Sequence, residues 1–204
     1  MSLVIAYIGR NGAVMAGDLR QILFRGESSA EKILEEELYG GLITSDEELT
    51  RKAKELGISL MIRDDKNKVS EQDGVLVGEV SSIERGKVQK RRLYASAGSY
   101  AIADLENATM TVRQHGQESN FVVLGNTITK KIAHECIRDQ WKNGTLSDAI
   151  KIILLTMETA SRTTASVSKQ FTLFQTMSKV NVAEVIKRDR ERLSHSVQEK
   201  GGRV

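Results

Sequence analysis

Apolar residues at the start of the chain come in blocks rather than in alternation. Leu3 to Ile8 are apolar without interruption, Gly9-Arg10-Asn11-Gly12 break the run, and Ala13 to Ala16 resume it. A short continuous apolar run between turn residues reads as a strand. Asn-Gly supplies the positive φ that a tight hairpin turn needs. The pattern predicts a hairpin that starts at once, with only Met1 and Ser2 ahead of it. Chain ends fray unless they are tied into a sheet, so burial of these first residues suggests use of the terminal amine.

Further along, the period switches between helix and strand. Ser28 with Glu31 has the form of a capping box for a helix over 29–39, which Gly40-Gly41 ends. Thr44 or Ser45 starts a second, polar helix that Gly57 stops. Strands are expected at 58–64, 74–83 and 88–98, with a turn at 84–86, and again at 120–125. Two helices follow at about 127–142 and 146–161. The first ends at Asn143-Gly144, and Thr145 with Asp148 forms a capping box for the second. Ile150, Ile153, Leu154, Met157 and Ala160 recur at helical spacing. A strand at 169–176 and a charged helix from Asn181 complete the reading, with a polar tail at 194–204. Strands followed by a helix pair predict an α+β fold in one domain over 1–193.

Composition narrows the function classes. Thirty Lys and Arg against 27 Asp and Glu leave a formal charge of +3, too small for a dedicated nucleic-acid face. Aromatic residues are 4% of the chain, which argues against base-stacking platforms. No run approaches the roughly 20 apolar residues of a membrane span, and the single Cys136 suits a cytoplasmic location. No metal-ligand spacing is present and no cofactor is expected. "GRNG" is too short for a phosphate loop, and "KRDRERL" reads as a solvated helix face. Cys136, Trp141 and Met157 read as packing residues. His115, His134 and His195 stand in no triad-like context.

Without Met1, the opening Ser-Leu-Val-Ile-Ala-Tyr-Ile-Gly-Arg-Asn-Gly-Ala-Val-Met-Ala-Gly-Asp-Leu-Arg resembles the start of proteasome β subunits and other N-terminal-nucleophile hydrolases. "GVLVGEVSS", "KRRLYASAG" and "ETASRTTASVSKQF" are similar to the archaeal connectases, proteasome-like protein ligases of methanogens. The resemblance runs over about 2–193. It implies a four-layer αββα fold with an inserted helix and hairpin segment at about 28–90. It implies Ser2 as nucleophile where the family usually has Thr, with Asp18 and Arg20 beside it and a lysine nearby. Lys32 has about the expected sequence distance; Lys90 and Arg91 are further candidates. It implies an oxyanion hole at Gly98 and Ser99, at a strand-to-helix turn. Asn126 stands where the superfamily has a serine, and Arg162 and Ser166 where proteasomes keep an Asp and a Ser.

The chemistry of Ser2 follows from its two groups. An α-amine has a pKa near ~7.7–8.0, so at neutral pH a fraction of it can act as base for the hydroxyl on the same residue. The resemblance implies attack on a protein or peptide at a Lys-Asp-Pro-Gly-Ala stretch, before the proline, as in a methyltransferase subunit of methanogens. The fragment is held on Ser2 and then passed to another amine. The same residues serve a peptidase or amidohydrolase. A non-catalytic, proteasome-like binding module, in which Ser2 is merely a small processable residue, is the remaining alternative. A monomer is expected.

Overall fold

Val4–Gly9 (β1) and Gly12–Asp18 (β2) pair antiparallel as a hairpin, with Gly9 opposite Gly12. The computed structural model describes residues 3–84, 87–106, 109–117, 119–142 and 144–201. Met1, Ser2, the 85–86 part of the expected turn and Asn143 lie outside them. Asn120–Leu124 (β10) flanks β1 and Phe171–Thr176 (β11) flanks β2, giving a sheet of order β10-β1-β2-β11. Every residue of β1 and β2 is buried. Both faces of this sheet are covered, which is why the sequence shows blocks instead of alternation.

One cover is a second antiparallel sheet of five consecutive strands, Val69–Gln72 (β5), Val75–Glu84 (β6), Lys87–Ser96 (β7), Ser99–Glu106 (β8) and Thr109–Gly116 (β9). Leu76, Val80, Leu93 and Ala95 from it meet Val4, Ala6, Ile8 and Met15. Gly78 allows the close approach, since a Cβ there would come within 2.7 Å of Met15 and Val4. The other cover is the helix pair Thr127–Gln140 (α3) and Leu146–Thr163 (α4), whose Ile132, Ala133, Ile153 and Met157 pack on Leu3, Ile5, Val14 and Ala16. Val182–Gly201 (α5) lies on the outer face of the second sheet, with Val182, Val185 and Ile186 against Val75, Val77 and Tyr94. This helix continues through the stretch read as a tail from 194.

Thr145 caps α4 as expected: its hydroxyl accepts the Asp148 N–H, and the Asp148 carboxylate accepts the Thr145 N–H. Thr145→Ala removes the first of these bonds. It is expected to lower stability by about 1 kcal/mol, read from urea unfolding.

A side unit packs beside α3 and the α4–β11 turn, made of Gln21–Arg25 (β3), Ser28–Gly40 (α1), Asp46–Glu55 (α2) and Ser59–Arg63 (β4). β3 and β4 pair with each other, and Leu34, Leu38, Leu49, Ala53 and Ile58 form the core of the unit. Ser45 caps α2, but the box expected at Ser28 does not form. The N-cap of α1 is Glu27, without a side-chain bond, and Glu31 accepts the Gly26 N–H instead. Within the stretch expected as an insertion, β5, β6 and the start of β7 belong to the second sheet instead. The helix expected after Gly98 is strand β8, where Ala101, Ala103 and Leu105 alternate onto the α5 side.

Candidate active site

At the open end of the first hairpin, Leu3 lies beside Asp18. The Leu3 N–H donates to Asp18 Oδ2 at 2.8 Å, and the Asp18 N–H returns to the Leu3 carbonyl at 3.2 Å. Asp18 is fully buried. Its Oδ1 accepts the Arg20 N–H at 2.8 Å and the Lys68 ammonium at 2.7 Å. Lys68, the residue before β5, is also buried and donates again to the Arg20 carbonyl at 2.8 Å. Gly17 lets this contact form: a Cβ there would reach 2.7 Å from Val69 and 3.2 Å from Lys68 Cβ.

Two opposite charges taken out of water are tolerable only when paired and hydrogen-bonded. Here both conditions hold. Burial nonetheless pushes Lys68 from 10.5 down to about 8, against the pull of Asp18. An amine that loses its proton near neutral pH is suited to proton transfer. It shares Asp18 with the Leu3 N–H, and Ser2 lies outside the described residues.

The strand register brings more polar groups to this sheet end. Leu124 opposite Val4 carries Gly125 and Asn126 to the level of the chain start. Asn126 caps α3 through the Thr129 N–H and donates from Nδ2 to Ser166 Oγ at 3.0 Å. Ser166 in turn meets Thr164 Oγ1 at 3.0 Å, and Ser168 Oγ accepts the Leu19 N–H at 2.8 Å. Thr164, Ser166 and Ser168 are all buried. The turn between α4 and β11 thus lays hydroxyls beside the hairpin end, and its Ser/Thr-rich sequence was the visible signal.

Arg20 points its guanidinium the other way. Nε and one Nη donate to Asp64 at 2.9 Å each, Asp46 accepts from both Nη atoms, and the Ala165 carbonyl accepts at 2.8 Å. Burial works against its charge, but the two carboxylates outweigh it and hold Arg20 firmly protonated.

A hairpin whose second strand ends in a buried Asp–Lys pair is the setting in which the family comparison falls. The family described as "Connectase MJ0548-like, N-terminal domain" matches residues 1–195. The chain belongs to the connectase family. No curated protein matches it. Among solved structures it is similar to Anbu proteins, with a TM-score of 0.38 and 12% identity for the Gly-1 mutant from Hyphomicrobium sp. strain MC1, covering 100% of this chain and 98% of that one. The helical Anbu assembly from Pseudomonas aeruginosa gives 0.39 and 12% over 97% and 96%, and Anbu, the ancestral β-subunit from Yersinia bercovieri, 0.40 and 11% over 99% and 97%.

Within this connectase-family chain, the remaining sequence candidates lie elsewhere. Lys32 is on an exposed face of α1, near Glu36, so the lysine at Asp18 is Lys68 instead. Lys90 and Arg92 share Glu79, while Arg91 pairs with Asp104. Gly98 has φ +81 in the β7–β8 turn, and its N–H donates to the Gly9 carbonyl at 2.8 Å. Gly9 and Leu3 are at opposite ends of β1, about 20 Å apart at strand rise. Gly98 therefore aims no free donor at the site, and neither does Ser99, whose hydroxyl meets Ser96 at 2.8 Å. Arg162 is exposed and pairs with Glu158. Among the described residues no His, Cys, Asp and Glu cluster of metal-binding size occurs, and no helix is long and apolar enough to cross a membrane.

Proposed function

We propose that the chain is a protein ligase that works through Ser2 once Met1 is removed. The observation that carries this reading is the buried Asp18–Lys68 pair, tied by the Leu3 N–H to the residue that follows Ser2. The packing of α3 and α4 on one sheet and α5 on the other supports reading the fold as the αββα layers of an N-terminal-nucleophile hydrolase.

In the proposed step the Ser2 hydroxyl adds to the carbonyl carbon before the proline of a peptide resembling Lys-Asp-Pro-Gly-Ala. Its proton passes to neutral Lys68 or to the α-amine, and from there to the departing proline nitrogen as the C–N bond breaks. The new ester can shift to the Ser2 α-amine as a stored amide. Attack by a second amine on the ester restores Ser2 and yields a joined product. The side unit, next to the hairpin end, would grip the peptide and keep water from the ester.

Intact mass measurement of the chain, before and after incubation with such a peptide, tests the reading. Loss of Met1 followed by a gain equal to the N-terminal fragment is the expected result, with exchange on adding a second peptide. Release of free acid without a joined product would favour a peptidase, and a chain with no adduct at all a binding module.

The pH dependence has a definite sign. The basic form of Lys68 is the useful one, and it accumulates above about 8. The acylation rate is expected to rise through that pH and then level off, as read by the rate of adduct formation. The Ser2 α-amine titrates in the same range.

A further inference from the structure

The side unit is joined to the body by two chain segments, and the Asp–Lys pair sits on both of them. The entering segment runs from Asp18 through Leu19 and Arg20 into β3. The leaving segment runs from β4 through Asp64 and Lys66 to Lys68 and β5. Arg20 fastens the two. Its main-chain N–H holds Asp18 and its carbonyl holds Lys68, while all five guanidinium donors engage Asp64, Asp46 or the Ala165 carbonyl. Asp46 opens α2 and Asp64 follows β4, so both carboxylates lie in or at the edge of the side unit.

We infer that Arg20 is a positioning residue that couples the side unit to the Asp18–Lys68 pair, so that a peptide seated on that unit alters the setting of Lys68. This rests on the acyl-transfer reading. The unit has a hydrophobic core of its own, to which the body adds Ala165, and a shift of the unit pulls on the carbonyl that accepts from Lys68. The same guanidinium bonds the carbonyl of Ala165, next to Ser166 and its Asn126 contact. Two further ties close the junction, Lys66 N–H to the Leu19 carbonyl at 3.0 Å and Ala165 N–H to the Ile43 carbonyl at 3.2 Å.

Two variants separate this coupling from plain charge. Asp18, Lys66 and Asp64 are the charges that act on Lys68. Asp46→Asn leaves those in place and loosens one side of Arg20. Arg20→Lys keeps the cation but loses the planar fork that serves two carboxylates at once. Circular dichroism and thermal unfolding show whether each variant folds, and Asp46→Asn, at a half-exposed helix start, is the safer of the two.

The first readout is the titration of the Lys68 side chain, followed by NMR of its Cε group, which needs no activity. In both variants the midpoint should move up from about 8 as water reaches the amine, toward the ordinary lysine value of about 10.4. The second readout is the acylation rate at saturating peptide. It should fall by about 10- to 100-fold, the scale of a small misplacement of a catalytic group, with a smaller change in the half-saturating concentration. An unmoved midpoint in a folded Asp46→Asn chain overturns the coupling, whether or not peptide binding weakens. If the parent chain forms no adduct, the transfer reading falls, while the titration still decides whether Arg20 sets Lys68.

Discussion

Lys68→Met is expected to abolish acylation for practical purposes, by about 10²–10⁴-fold, the contribution of a positioned proton-transfer group. The substitution also leaves the buried Asp18 carboxylate without its cation, which costs about 3–5 kcal/mol when one member of a buried pair is removed. Stability and chemistry can be told apart by adding Asp18→Asn. The double variant removes both charges, so it should recover much of the lost stability in urea unfolding and none of the rate. A folded Lys68→Met chain that acylates at the parent rate would leave the α-amine of Ser2 as the only base. Because the two amines titrate in the same pH range, this variant, rather than the pH profile, assigns the proton.

Gly17→Val should damage both the fold and the site from a position that carries no functional group. Valine suits a strand, so local preference favours the change. Packing opposes it: the new Cβ would come within 2.7 Å of Val69 and 3.2 Å of Lys68 Cβ. Overpacking of this kind costs about 1–3 kcal/mol. The atoms that must yield belong to the segment carrying Lys68, so the amine is displaced from Asp18 as well. The expected outcome is a less stable chain whose acylation rate falls by about 100-fold, with Gly17→Ala in between. Normal activity in a stable Gly17→Val chain would show that the two sheets have room to spare here.

Much of the body could be read from the chain because its signals are local. Asn11-Gly12 marks the hairpin turn, Thr145 and Asp148 cap their helix, and the apolar blocks mark the two strands β1 and β2. Asp18 was legible by its place at the end of β2. Lys68 was not, because nothing within a few residues distinguishes it from other lysines. It reaches Asp18 through the side unit, a detour whose length no short-range rule predicts, and sequence distance offered Lys32, with Lys90 and Arg91 as further candidates, but not Lys68. The side unit itself was partly visible: its second helix has a cap and a stop and its strand β4 falls within the strand expected at 58–64, whereas the short strand β3 was missed. Gly98 was read through a resemblance as the start of a helix. The structure has strand β8 there, paired with β7, and the alternation of Ala101, Ala103 and Leu105 onto one face was not read from the sequence.

The placement of β1 in the interior of its sheet has a consequence for biosynthesis. Its neighbour β10 comes from beyond residue 120, and β11, which closes the far side of the hairpin, from beyond residue 171. Pairings between distant parts of a chain form late, because a long loop must close before any contact rewards it. The hairpin of β1 and β2 is therefore among the last parts of this chain to be enclosed, although it is made before its partners. A half-made chain carries its Ser2 but has neither the turn that holds Ser166 nor the strand beside Asp18. On the acyl-transfer reading, the site is complete only when synthesis is nearly so, and the nascent protein would be kept from reacting with itself.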